Sequence, residues 1–166
     1  MVERLCQTLE KDDWKVIRDK QALQPGDLLS AFMTKLGQAD RVIVVLSTKY
    51  LRSTACMTEL YDLYRNAQQQ KGDFLKRIIP LVLKDAGIGT WRGRSTHAKH
   101  WESEFKEMEK DFVHLGVEDL KLYKAMRRWH NEVGDMLAYV NDKLVPHGFD
   151  EIVKDDFAGL RRMLRR

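Results

Sequence analysis

The segment Arg41-Val-Ile-Val-Val-Leu-Ser47 restricts the fold of this chain more than any other. A strand with one wet face alternates apolar and polar residues, and this run does not alternate. An unbroken β-branched run is the pattern of a strand covered on both faces, as in a parallel sheet between helices. A second such run, Arg77 to Leu83, follows after a stretch with helical spacing. Strands and helices in alternation point to an α/β fold, a parallel sheet flanked by helices.

The spacing predicts a helix from Val2 to Lys11, a strand from Trp14 to Arg18 and a helix from Asp27 to Gly37, whose apolar positions are Leu28, Leu29, Phe32, Met33 and Leu36. The strand at 41–46, a helix from Thr54 to Gln69 and the strand at 77–83 come next. The second half differs. A Gly-rich, basic loop is expected from Lys84 to Lys99, then helices from Trp101 to Phe112 and from Val117 to Leu144, with no further strand. The stripes Trp101, Phe105, Met108, Phe112 and Leu122, Met126, Trp129, Val133, Leu137 read as core, with His130 packed beside them. Residues 1–147 are read as one domain, with core 2–83 and helical extension 84–147, and 148–166 as a tail or linker carrying a final helix or the start of a connection. A sheet of this kind normally begins with a strand, whereas this chain opens inside a helix. The expectation is a lost N-terminus; a misassigned start codon and a sheet lacking one strand are the alternatives.

The 166 residues, 43% hydrophobic and 33% charged, suit one soluble domain with a real core. The apolar runs fall far short of the roughly 20 residues of a membrane span. Cys6 and Cys56 stand alone, which suggests neither a disulfide framework nor a zinc site and fits a reducing cytoplasm. The net charge of +4 is spread along the chain: residues 1–83 hold 13 basic against 10 acidic side chains, and 84–166 hold 16 against 15. Nothing in this balance calls for nucleic acid. Gly87-Ile-Gly89 lacks the third glycine of a dinucleotide fingerprint, and no GxSxG elbow or Walker loop is present. His97 and His100 lack the further ligands of a metal site, so no metal is expected. Leu160 to Arg166 is amphipathic, and a solvated helix end is the expectation over an acidic partner or membrane surface.

Function is expected around Arg18-Asp-Lys-Gln-Ala-Leu-Gln-Pro-Gly-Asp27, between a strand and a helix. Pro25 fixes φ, Gly26 relieves steric limits and Asp27 can accept hydrogen bonds from the free amides of the helix start. Arg18 and Asp19 either hold the loop or contact a ligand or neighbouring molecule. Leu23, Pro25 and Gly26 suit a protein contact, since a protruding apolar residue is costly without a partner.

The ordered set of Arg18-Asp19, Pro25-Gly26, Val42-Ile-Val-Val-Leu-Ser47 and Ser53-Thr-Ala-Cys56-Met-Thr-Glu59-Leu60 resembles a TIR (Toll/interleukin-1 receptor) domain of the bacterial type, over roughly residues 2–83. The resemblance implies a flavodoxin-like sheet, here without its first strand, with a helical C-terminal extension. It implies a signalling or defence role, association with other TIR domains or with itself through the loop around Leu23, Pro25, Gly26 and Asp27, and in some members NAD+ cleavage with Glu59 as the glutamate. NAD+ would then be a substrate, with no cofactor implied. Relatives that cleave NAD+ often carry an aromatic residue where this chain has Ala55, so stacking would fall to Trp14 or Tyr50, with Arg18, Asp19 and Cys56 also near the substrate. The other reading is a non-enzymatic TIR module acting by homotypic contact.

Overall fold

The computed structural model describes residues 2–17, 39–69, 77–143 and 147–165. These fall into two compact units, residues 1–42 with 149–166, and residues 43–148.

In the first unit, helix α1 (Val2–Lys11) buries Leu5, Cys6 and Leu9 at the three- and four-residue spacing of one helical face. It ends where Asp13 turns left-handed at φ 64°. The Trp14 amide donates to the Leu9 carbonyl at 3.1 Å and the Asp13 amide to Glu10 at 3.2 Å, which satisfies carbonyls the helix leaves open. The strand expected from Trp14 is not formed: Trp14–Ile17 pair with no described strand, and Ile17 remains 51% exposed. A β-branched run becomes a strand only where a neighbour supplies the ladder. Residues 149–166 form two short helices, α6 (Phe149–Lys154) and α7 (Ala158–Leu164). The turn between them repeats the same cap, with Asp156 and Phe157 both left-handed at φ 51° and 63°. The fully buried Phe157 ring offsets that backbone cost. Arg161 pairs with Asp12 at 2.5 Å and Arg4 with Asp156 at 3.0 Å, so Arg161 ties the amphipathic C-terminal helix back to the end of α1.

In the second unit the sheet has the order β1 (Val42–Leu46), β2 (Ile78–Val82), β3 (His147–Gly148). β2 and β3 are parallel, with Leu81 opposite His147 and Val82 opposite Gly148. β3 corrects the expectation that no strand follows residue 83. Its two residues carry no apolar signature, and only pairing reveals them. Between β1 and β2 lie α2 (Thr48–Leu51) and α3 (Thr54–Gln69). The helix expected at 27–37 lies outside the described residues.

The first α-helix after β2, α4 (Trp91–Lys110), begins ten residues earlier than its apolar stripe suggests, so the expected loop over 84–99 shrinks to a 3-10 turn (Lys84–Ala86) and a short connection. The Thr90 hydroxyl caps it, accepting from the Gly93 amide at 3.2 Å. Gly93 lets the helix lie against the turn: a Cβ there would sit 1.9 Å from the Gly87 carbonyl oxygen. α5 (Val117–Lys143) returns along α4. Trp101 and Trp129 meet edge to face at 4.8 Å, and His130 stacks on Phe105 at 4.7 Å. Phe112, expected in the core stripe, is instead 47% exposed, because α4 has ended before it.

Tyr61 on α3 donates its hydroxyl to Glu132 on α5 at 2.8 Å. Burial, then the hydrogen bond and charge of Glu132, raise its pKa above the ordinary value. The native state therefore holds this proton more tightly than the unfolded chain. The resulting stabilisation is complete below the ordinary tyrosine pKa of about 10 and is lost as pH rises through the raised value. Alkaline unfolding curves of the parent and Tyr61→Phe chains should show this loss in the parent alone; identical pH dependence would remove Tyr61 from the account.

Candidate functional site

The carboxyl ends of β1 and β2 are joined by their own connections. The Leu83 amide donates to the Leu46 carbonyl at 2.9 Å, and the Thr48 amide donates to the Asp85 carboxylate at 2.9 Å. In open α/β sheets, ligands bind outside the carboxyl ends of the strands. Two capping serines order this edge. Ser47 caps α2 by accepting from the Tyr50 amide at 3.1 Å, and the Ser53 hydroxyl accepts from the Cys56 amide at 3.4 Å at the start of α3.

Glu59 lies in the second turn of α3, between buried Met57 and Leu60, and is half-buried. Cys56 and Tyr50 are also half-buried on the segments that follow β1. These three residues therefore belong to one unit. Trp14 is half-buried directly after α1 in the other unit. Arg18, Asp19, Leu23, Pro25, Gly26 and Asp27 lie outside the described residues.

His97 is buried and committed to the fold, its Nε2 lying 2.7 Å from the Ala86 carbonyl. His100, against Trp101, has its pKa lowered by burial, with Arg52 and His97 adding to that and Glu104 opposing it. Among the described residues no three His, Cys, Asp or Glu side chains are grouped to hold a metal ion. An apolar recess lined by Val44, Leu60, Tyr64, Ile78, Pro80 and Tyr139 has a volume of about 10 Å³, a packing gap rather than a substrate pocket. No helix among the described residues is long and apolar enough to cross a membrane.

The sequence did not single out the contacts that fix this edge. Asp85 and Trp101 act across 37 and 50 residues of chain, Trp101 by donating its indole N–H to the Leu51 carbonyl at 2.9 Å. No local pattern marks such partners.

A small open sheet with helices before, between and after its strands makes this an α/β module. The family model described as "TIR domain" matches residues 1–112, and the chain belongs to that family. It is a TIR signalling or defence module, and TIR domains generally interact with one another. Comparison with the curated proteins and with the solved structures gave no match.

Proposed function

We propose that this TIR domain cleaves NAD+ to nicotinamide and ADP-ribose, linear or cyclic, when it assembles with further copies or with other TIR domains. The observation that carries the reading is the half-buried Glu59 in the second turn of α3, on the connection leaving the carboxyl end of β1. As the glycosidic C–N bond breaks, nicotinamide departs neutral with the bonding electron pair, so no strong general acid is required. The ribosyl carbon becomes oxocarbenium-like, and a carboxylate at that point stabilises it. In the hydrolytic case water adds to that carbon and releases its proton to solvent.

Tyr50 and Cys56, on α2 and α3, are assigned to contact the substrate beside Glu59. The loop holding Leu23, Pro25, Gly26 and Asp27 is assigned to assembly. Incubating the concentrated chain with NAD+ should release nicotinamide, and Glu59→Gln should lower the rate by at least about a hundredfold with unchanged circular dichroism. Full activity of Glu59→Gln would remove Glu59 from the chemistry. Absence of release from the parent chain would favour the module acting by homotypic contact alone.

A further inference from the structure

Charge is sharply divided along the α4–α5 hairpin. Around the start of α4, residues 84–99 carry Lys84, Arg92, Arg94 and Lys99 against Asp85 alone. Around its far end, residues 106–121 carry Glu107, Glu109, Asp111, Glu118 and Asp119 against Lys106, Lys110 and Lys121, an acidic excess of two, with Lys110 paired to Glu107 and Lys121 to Glu118. For α4 the division runs against the helix dipole, with no acidic residue in the first turn and Glu107, Glu109 and Asp111 at the negative end, while Glu118 and Asp119 lie in the first turn of α5, where the dipole favours them. Stability of α4 by itself does not account for that arrangement.

Each end also presents apolar surface. Trp91 is 68% exposed at the basic end, and Phe112, Val113 and Val117 are 47%, 82% and 73% exposed at the acidic tip. These are four of the six exposed large hydrophobic residues among those described, the others being Val2 and Ile17. The basic end is closely packed. Gly93 is pressed on Gly87, Arg94 donates to the Ile88 carbonyl at 2.8 Å, and the Arg92 guanidinium lies 5.2 Å from the Trp91 ring centroid. An exposed tryptophan beside an arginine has the composition of a binding hot spot.

We propose that the basic Trp91–Arg92 end of one chain docks on the acidic Phe112–Val113–Val117 tip of a second copy. The two patches are complementary in charge and are each apolar at the centre. They are separated by the 20 residues of α4, about 30 Å of helix. They cannot meet within one hairpin, and the contact is head to tail. Such a heterologous interface repeats from copy to copy and closes into a ring or extends as a filament. It does not depend on Glu59 or on NAD+ cleavage.

Sedimentation velocity on the full chain tests this. The parent should self-associate in low salt and dissociate at about 1 M salt, where screening acts over about 3 Å. Trp91→Ala and Val113→Arg alter exposed side chains, so both should retain the parent circular dichroism, and each should weaken association by about tenfold or more. Mixed together, the two variants retain one intact patch each, and they should form 1:1 dimers and stop there. A parent that stays monomeric at low salt, either variant assembling like the parent, or a mixture without heterodimers would overturn the proposal.

Discussion

Trp101→Ala is expected to lower stability by about 3–5 kcal/mol, the range for emptying a buried tryptophan site. Trp101 is 1% exposed, and its ring closes edge to face on Trp129, the contact that seats α5 on α4. Its indole N–H also bonds the Leu51 carbonyl at the end of α2. Truncation therefore opens a cavity and removes the donor that joins the connection after β1 to α4. Trp101→Phe separates these contributions. It keeps most of the apolar volume and loses the donor, for an expected cost of about 1–3 kcal/mol. Chemical denaturation of the three chains measures both effects, and a phenylalanine variant as stable as the parent would show that the hydrogen bond contributes little.

Gly93→Ala should cost about 3 kcal/mol, at the upper end of the range for overpacking. A Cβ at that position meets the Gly87 oxygen at 1.9 Å and the Gly87 carbonyl carbon at 2.8 Å. Both atoms are backbone, and Gly87 is held at φ 62°, so no side-chain rotation relieves the clash. The start of α4 must lift away from the 84–90 turn, which weakens the Thr90 cap and displaces Trp91. Gly134 supplies the control. It lies within α5 with nothing inside 4 Å of its would-be Cβ, and Gly134→Ala should stabilise by about 0.5–1 kcal/mol. Thermal melts of the two alanine variants should move in opposite directions, and a shared direction would contradict the packing described for Gly93.

Glu59 was legible as a candidate only through the resemblance of Cys56-x-x-Glu59 to the TIR family; the spacing alone put it at the edge of the face made by Cys56, Leu60 and Leu63, of which Leu60 and Leu63 are buried and Cys56 half-buried. Trp91 was placed in a loop, because Arg92-Gly-Arg-Ser-Thr-His97 has no apolar stripe to announce a helix. Its helical state follows from the Thr90 cap and from the Gly87–Gly93 approach, a contact between segments that propensity does not encode.

By itself the sequence determined α1, α3 and α5, where apolar residues recur at the helical period and burial rewards that period directly, and β1 and β2, whose short unbroken apolar runs mark strands covered on both faces. The tertiary structure alone decided the early start of α4, the brief β3, the left-handed turns at Asp13, Asp156 and Phe157, and the irregular path of Trp14–Ile17. In the first three of these the backbone's hydrogen bonds or close approaches outweigh local preference, and their partners are unmarked by any repeating pattern; at Trp14–Ile17 the ladder partner a strand needs is missing among the described residues.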